Sequence, residues 1–132
     1  MKVRSKRLIA LVSVAAVASL GAWAAYAQEI YAGHYEQKTG QELYQSICQG
    51  CHMPNAQGAV GAGAYPALAD DAHLKAALYP VTRVIYGSKA MPGFGDALSD
   101  EQIANVVNYV RTHFGNHYSD AVTPAAVKAA RP

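Results

Sequence analysis

The chain contains only two cysteines, and they lie three positions apart in the segment Cys48-Gln49-Gly50-Cys51-His52. The residues before them include Leu43, Tyr44 and Ile47, whose spacing predicts a helix with one apolar face that ends at the cysteines. A disulfide between Cys48 and Cys51 would close a very small loop and would restrain little of the unfolded chain. We therefore interpret the pair as a chemical motif rather than as a crosslink.

The same motif is suited to holding a haem. Two thiols at this spacing can each add to one vinyl group of a haem, and the imidazole of His52 then lies under the iron. Thioredoxin-like thiol–disulfide exchange is one alternative, but it expects a βαβ pattern that the sequence does not contain. Zinc is another, but no other histidine has finger-like spacing to the cysteines. The motif predicts one covalent haem c, attached through Cys48 and Cys51, with His52 as an axial ligand.

A second axial ligand is expected on the opposite face of the haem. Beyond the first 27 residues the chain has two methionines, Met53 and Met91. Met53 is bonded directly to His52 and cannot reach across the porphyrin. Met91 lies in a glycine- and proline-rich loop, where Pro92 prevents a helix and helps to present the thioether. We therefore predict Met91 as the second axial ligand, with a histidine as the alternative.

The N-terminal residues have the composition of a targeting segment. Residues 8–27 form a run of twenty residues without a charge, and four basic residues precede it. The small-residue pattern Ala25-Tyr26-Ala27 predicts a secretory signal peptide, residues 1–27, that is cleaved after Ala27. An uncleaved anchor is the alternative, because such a run is also long enough to cross a bilayer. In both cases the function is expected outside the cytoplasm, in a bacterial periplasm, with membrane contact only if the leader is retained.

The charge balance depends on this leader. It holds four of the eleven lysines and arginines and none of the nine acidic residues, so residues 28–132 carry a formal charge of −2. The whole chain carries +2. Once the leader is set aside, the sequence has no basic excess of the kind that nucleic-acid binding requires. We therefore predict no nucleic-acid partner.

The remaining sequence predicts a single all-α domain. We place this domain at residues 39–115, after an N-terminal extension over residues 28–38 and before a C-terminal tail over residues 116–132. No pattern of alternating residues indicates a strand.

Several local signals place the helices of this domain. Two capping boxes, Thr39 to Glu42 and Ser99 to Gln102, predict the starts of its first and last helices. Short helices are expected over residues 72–79 and 80–86, and the last long helix is expected to end at Gly115. One further short helix is predicted in the tail.

Residues 39–115 resemble a class I c-type cytochrome. The resemblance rests on four motifs in order, namely Cys48 to His52, Tyr65-Pro66-x-Leu68, Met91-Pro92-Gly93-Phe94 and Ser99-Asp100-Glu101-Gln102-Ile103. It implies a fold of three to five helices around one covalent haem, with the first and last helices crossing near Gly40, Tyr44 and Tyr109. It also implies that the Pro66 carbonyl accepts a hydrogen bond from the second ring nitrogen of His52. The family usually has Gly-Pro before that leucine, whereas this chain has Tyr-Pro.

A finer similarity concerns the end of the last helix. The segment from Asn108 to Asn116 resembles cytochrome subunits that accompany periplasmic alcohol, aldehyde or similar dehydrogenases. This similarity implies an exported dehydrogenase as the electron donor. It implies that the protein is a separate carrier or the cytochrome subunit of such a complex.

Filled axial positions determine the expected function. If protein ligands occupy both faces of the iron, no position is open to a substrate, and electron transfer is the haem chemistry that needs none. We predict a single-haem electron carrier, not an enzyme, that passes electrons from the dehydrogenase towards a terminal oxidase or another cytochrome. Arg83 is predicted to neutralise a haem propionate, and a solvated helix face is its alternative role.

Two other classes of function remain as alternatives. A haem enzyme or gas sensor would need a labile Met91 bond, and its reduced form would then bind carbon monoxide. A thiol–disulfide exchange protein would be colourless and would have two titratable thiols after reduction.

Overall fold

The computed structural model describes residues 35–61 and 63–132. The predicted signal peptide, its cleavage site and residues 28–34 of the predicted N-terminal extension lie outside the described residues. In the described part of the chain, no helix combines the length and the hydropathy that a bilayer crossing requires.

The described chain is mostly helical. The first helical run, α1, consists of Gly40–Leu43, the π-helical segment Tyr44–Cys48 and Gln49–His52. After a loop come a short hairpin, a 3₁₀ helix and three further helices. Their bounds are β1 Ala59–Val60, β2 Ala64–Tyr65, the 3₁₀ helix Ala72–Lys75, α2 Leu78–Tyr86, α3 Asp100–Thr112 and α4 Pro124–Ala129.

Both predicted capping boxes are present. The Thr39 hydroxyl accepts from the Glu42 backbone N–H at 3.2 Å, and the Glu42 carboxylate accepts from the Thr39 N–H at 3.1 Å. The same reciprocal pair joins Ser99 and Gln102. Gln102 has a second role, because its side-chain amide also donates to the Tyr35 carbonyl at 2.6 Å. The cap of α3 therefore also holds the segment that precedes α1.

Helices α1 and α3 cross at the position that the family resemblance implies. A Cβ atom added to Gly40 would overlap the carbonyl oxygen of Asn105 and would lie 2.6 Å from Tyr109 Cβ. The rings of Tyr44 and Tyr109 lie 5.8 Å apart next to this crossing. Only a glycine allows the two backbones to approach so closely. The expected crossing near Gly40, Tyr44 and Tyr109 is therefore confirmed.

Residues 116–132 pack on the same core as the helices before them. Val122 and Val127 are buried, and α4 begins at the Thr123 cap expected for the tail helix. The fully buried guanidinium of Arg111 donates to the Asp120 carboxylate at 2.6 Å and to the Leu74 carbonyl at 2.9 Å. The hydrogen bond from Arg111 holds the pKa of Asp120 below its usual value. The C-terminal segment is thus integrated into the core.

Three details differ from the sequence expectations. A two-stranded antiparallel hairpin pairs Ala59 with Tyr65 and Val60 with Ala64, although no strand was predicted, because two-residue strands are too short to show alternation. The predicted helix over residues 72–79 is a 3₁₀ helix that ends at Lys75. Helix α3 ends at Thr112, before the expected glycine stop, because His113 is already extended.

The close crossing generates a stability prediction with an internal control. Gly40→Ala places a methyl group against the backbone of α3, so we expect it to lower the free energy of unfolding by about 1–3 kcal/mol. In Gly50→Ala the added methyl group has no neighbour within 4 Å. Since Gly50 is helical, we expect a gain of about 0.5–1 kcal/mol. Denaturant unfolding of the two variants tests the difference, and equal effects would contradict the proposed role of the crossing.

Candidate functional site

The two cysteines lie on the last turns of α1, as the sequence predicts. Cys48 ends the π-helical segment and is partly buried, whereas Cys51 is exposed. Both carry free thiols. Helix α1 then ends at His52, and Met53 turns the chain away with a φ of 68°, which residues with a side chain rarely adopt. The end of α1 therefore presents two thiols and an imidazole within five residues.

His52 is held in one orientation by the backbone. Its side chain is buried, and its Nδ1 atom lies 2.9 Å from the carbonyl oxygen of Pro66. A carbonyl oxygen can only accept, so Nδ1 carries the proton and Nε2 keeps its lone pair for a metal. Such a contact fixes the ring and raises its basicity as a ligand. The structure thus brings together His52 and Pro66, the pair that the resemblance to cytochromes implies.

A network of backbone bonds positions the Pro66 carbonyl. The carbonyl of Ala56 accepts from the N–H groups of Leu68 at 2.7 Å and Ala69 at 3.0 Å. The Gly58 N–H donates to the His52 carbonyl at 3.0 Å, and a Cβ on Gly58 would overlap the carbonyl oxygen of Tyr65. These bonds fold the loop after α1 back on itself and place the Pro66 carbonyl beside His52.

Asn116 secures the other end of this loop, a role that the sequence analysis missed. The side chain is 2% exposed, and its amide donates to the carbonyls of Leu68 at 2.7 Å and Val110 at 2.9 Å. Its oxygen accepts from the Asp71 N–H at 3.0 Å. A single asparagine after a glycine has no sequence signal that distinguishes it from a surface turn residue. Only the tertiary contacts identify its role.

Met91 lies in a turn that is pinned to the end of α2. The N–H and the carbonyl of Met91 exchange two hydrogen bonds with Ser88, at 2.9 and 3.0 Å. Gly87 ends α2 with a φ of 73°, and a Cβ there would overlap the Met91 carbonyl oxygen. The side chain of Met91 is partly buried. The methionine is thus presented by a turn whose backbone is held at two points.

Met53 has a different environment. Its carbonyl accepts a hydrogen bond of 2.8 Å from the Tyr44 hydroxyl. Burial, together with the nearby Cys48 and Tyr109, raises the pKa of Tyr44 to about 12, so this hydroxyl remains a donor at neutral pH. The contact ties the residue after His52 back to α1.

Arg83 lies on the exposed surface of α2, near the Met91 turn. It donates to the Ser88 hydroxyl at 3.0 Å, and its guanidinium lies 5.0 Å from the centroid of the Tyr79 ring. The contact with Ser88 places a positive charge beside the turn that carries Met91. A role of Arg83 towards a propionate stays a prediction.

The described residues fit a haem in three respects. Both thiols are free, His52 is fixed through one ring nitrogen, and several large apolar side chains remain uncovered. The uncovered side chains belong to Val60 and Tyr65 of the hairpin and to Leu78, Tyr79 and Tyr86 of α2. A small domain that exposes this much apolar surface is suited to hold a large apolar group.

The pKa of the Cys48 thiol does not suit a thiol–disulfide exchange protein. Burial, with a smaller effect of Cys51, raises the pKa of Cys48 to about 11. Exchange requires a thiolate, and the cysteines of exchange proteins have lowered pKa values.

In the described part of the chain, no group of three or more histidine, cysteine and acidic side chains is arranged to hold a metal ion.

Comparison with known proteins agrees with this geometry. The family model described as "Cytochrome C oxidase, cbb3-type, subunit III" matches residues 36–110. The fructose dehydrogenase cytochrome subunit of Gluconobacter japonicus is 34% identical over 107 residues, which cover 70% of this chain and 22% of that protein. The cytochrome c subunit of alcohol dehydrogenase (quinone) of Gluconobacter oxydans is 32% identical over 103 residues, with coverages of 70% and 22%.

A third relative has a different enzyme in its name. The gluconate 2-dehydrogenase cytochrome c subunit of Pantoea cypripedii is 29% identical over 108 residues, which cover 73% of this chain and 24% of that protein. The chain thus spans about a quarter of the length of the curated relatives that it matches.

The helical fold around a Cys-x-x-Cys-His motif defines a c-type cytochrome domain. The chain belongs to the cytochrome family whose model matches residues 36–110, and its cofactor is haem c. Both the predicted family and the predicted cofactor are therefore confirmed.

The role of Asn116 generates a prediction. In Asn116→Ala the carbonyls of Leu68 and Val110 and the N–H of Asp71 lose their partner, so we expect the free energy of unfolding to fall by roughly 2–4 kcal/mol. Asn55→Ala is the control, because Asn55 is exposed and its side chain bonds to nearby Gln57 on the surface, and its effect should stay within about 0.5 kcal/mol. Thermal or denaturant unfolding of the haem-loaded protein measures both, and similar losses in the two variants would contradict the assigned role.

Proposed function

We propose that the protein is a single-haem electron carrier in which Cys48 and Cys51 hold the haem covalently and His52 and Met91 are its axial ligands. The observation that carries this proposal is the contact between His52 Nδ1 and the Pro66 carbonyl. It leaves Nε2 as the only ring nitrogen able to bind iron. The haem, when bound, supplies a reversible one-electron exchange between ferric and ferrous iron.

The residues of the chain set the conditions for that exchange. His52 is buried and fixed by Pro66, so the ligand does not have to reorient when the charge of the iron changes. Met91 offers a soft thioether, which raises the reduction potential relative to harder ligands. Together the two side chains would hold the iron and would leave no position on it open to water or substrates. Electron transfer at the haem edge is the chemistry that such a closed site allows.

Arg83 is proposed to pair with a haem propionate. Its hydrogen bond to Ser88 holds the guanidinium beside the Met91 turn, on the exposed surface of α2. A positive charge at that place would offset the negative charge of a propionate that is partly exposed to water.

We propose a dehydrogenase outside the cytoplasm as the electron donor. Three relatives are named as cytochrome subunits of fructose, alcohol and gluconate dehydrogenases, which supports this class of donor. The acceptor is proposed to be a terminal oxidase or another cytochrome. The predicted leader, residues 1–27, supports a periplasmic location, with membrane attachment only if the leader is retained.

The ligand assignment is tested with Met91→Ala. Loss of the thioether should abolish the weak far-red band of a methionine-ligated ferric haem, open the iron to carbon monoxide and lower the reduction potential. Met53→Ala is the control and should leave the spectrum unchanged. Visible spectroscopy and redox titration measure these effects. A Met91→Ala protein that keeps the band and still refuses carbon monoxide would show that another residue is the ligand, whereas carbon monoxide binding by the reduced wild type would favour a haem enzyme or gas sensor.

The donor class is tested by anaerobic reduction. We expect the oxidised protein, mixed with an envelope fraction from its source cells, to become reduced when the substrate of its dehydrogenase is added. Fructose, ethanol and gluconate are the substrates to try first. The Cys48→Ala/Cys51→Ala protein, which cannot attach haem covalently, is the control. If the fraction oxidises these substrates with an artificial acceptor but never reduces the protein, dehydrogenases of these three classes are not its donors.

A further inference from the structure

The penultimate residue of the chain contacts the segment that follows Met91. The Arg131 guanidinium donates to the carbonyl oxygens of Gly95 and Leu98, the latter at 2.9 Å. Its Nε atom donates to the carboxylate of Asp100, in the first turn of α3, at 2.6 Å. The Arg131 side chain is 25% exposed. One guanidinium thus joins three points within six residues of chain.

The segment between Met91 and α3 has little regular structure of its own. Its N–H groups at Phe94 and Gly95 donate to the last turns of α2, at the carbonyls of Val84 (2.8 Å) and Ile85 (3.1 Å). Its carbonyls at Gly95 and Leu98 accept from Arg131. A Cβ on Gly95 would lie 3.0 Å from the Ile85 carbonyl and 3.5 Å from an Arg131 nitrogen. The segment is therefore held by hydrogen bonds to both α2 and Arg131.

Arg131 itself is anchored by the C-terminal helix. Val127 of α4 is fully buried, and the Tyr86 hydroxyl at the end of α2 donates to the Ala130 carbonyl at 2.7 Å. Helix α2, which precedes the Met91 turn, is thus bound to Ala130, and the segment that follows the turn is bound to Arg131. Hydrogen bonds from a charged donor are about twice as strong as neutral ones.

We propose that Arg131 is a positioning residue for the Met91 ligand. By holding the outgoing segment of the Met91 turn, it limits how often the thioether leaves the iron. This inference rests on the proposed function, because it takes Met91 as an axial ligand. An external ligand can bind only while the thioether is away, so its apparent affinity measures the population of the open turn.

The test is imidazole binding to the ferric, haem-loaded protein. Arg131→Gln removes the positively charged guanidinium. We expect this variant to bind imidazole about tenfold more tightly than wild type and to lose part of the far-red band. Arg131→Lys keeps the positive charge, so we expect its imidazole affinity to lie between that of wild type and that of Arg131→Gln. Lys128→Gln is the matched control, because Lys128 is exposed on α4 and a change of charge there should leave imidazole affinity unchanged.

A second variant keeps the test decisive if Arg131→Gln does not fold. Tyr86→Phe removes only the hydroxyl that donates to Ala130, and we expect a smaller increase in imidazole affinity of the same sign. A purely structural role would lower the unfolding temperature of both variants without changing imidazole affinity, and that result would overturn the proposal.

The wild type separates this inference from the proposed function. A wild-type protein that lacks the far-red band and binds imidazole as tightly as Met91→Ala would overturn the ligand assignment, and the role of Arg131 with it. If the wild type shows the far-red band and binds imidazole weakly, and Arg131→Gln binds imidazole with the same affinity, the role of Arg131 alone is overturned.

Discussion

The close contact between α1 and α3 at Gly40 is the constraint on which the rest of the structure depends. Because Gly40 has no side chain, the backbone of α1 packs directly against Asn105 and Tyr109 of α3. Leu43 and Tyr44 then become buried, and Tyr44 packs against Tyr109 and Phe114. The direction of α1 is thereby defined, and so is the place where its last turn presents the cysteines and His52.

Irregular segments fix the orientation of one proposed axial ligand and carry the other: the loop with Pro66 orients His52 at the end of α1, and a turn carries Met91. The loop that carries Pro66 is closed by Asn116, and the segment after Met91 is closed by Arg131. In both cases a side chain donates to backbone carbonyls that no helix or sheet satisfies. Buried carbonyls without partners destabilise a fold, so these donors hold the loops in one conformation. The buried Arg111 has the same function for the C-terminal segment.

The C-terminal segment connects these loops to the core. Arg111 binds Asp120, Asn108 exchanges two hydrogen bonds of 2.8 Å with Val122, and Tyr86 binds Ala130. Residues 116–132 thus reach from the centre of α3 to the end of α2.

The sequence alone determined the elements whose cause is local. The capping boxes at Thr39 and Ser99, the apolar face of α3 and the Cys-x-x-Cys-His motif depend on residues within one or two turns of each other, and they identified the helices, the family and the cofactor. Only the tertiary structure decided how Asn116 and Arg131 hold the loops and where α3 ends. The contacts of Asn116 with Leu68 and of Arg131 with Gly95 join residues more than thirty positions apart, and the end of α3 competes with the local signal at Gly115. Their energies therefore arise only when the chain is folded.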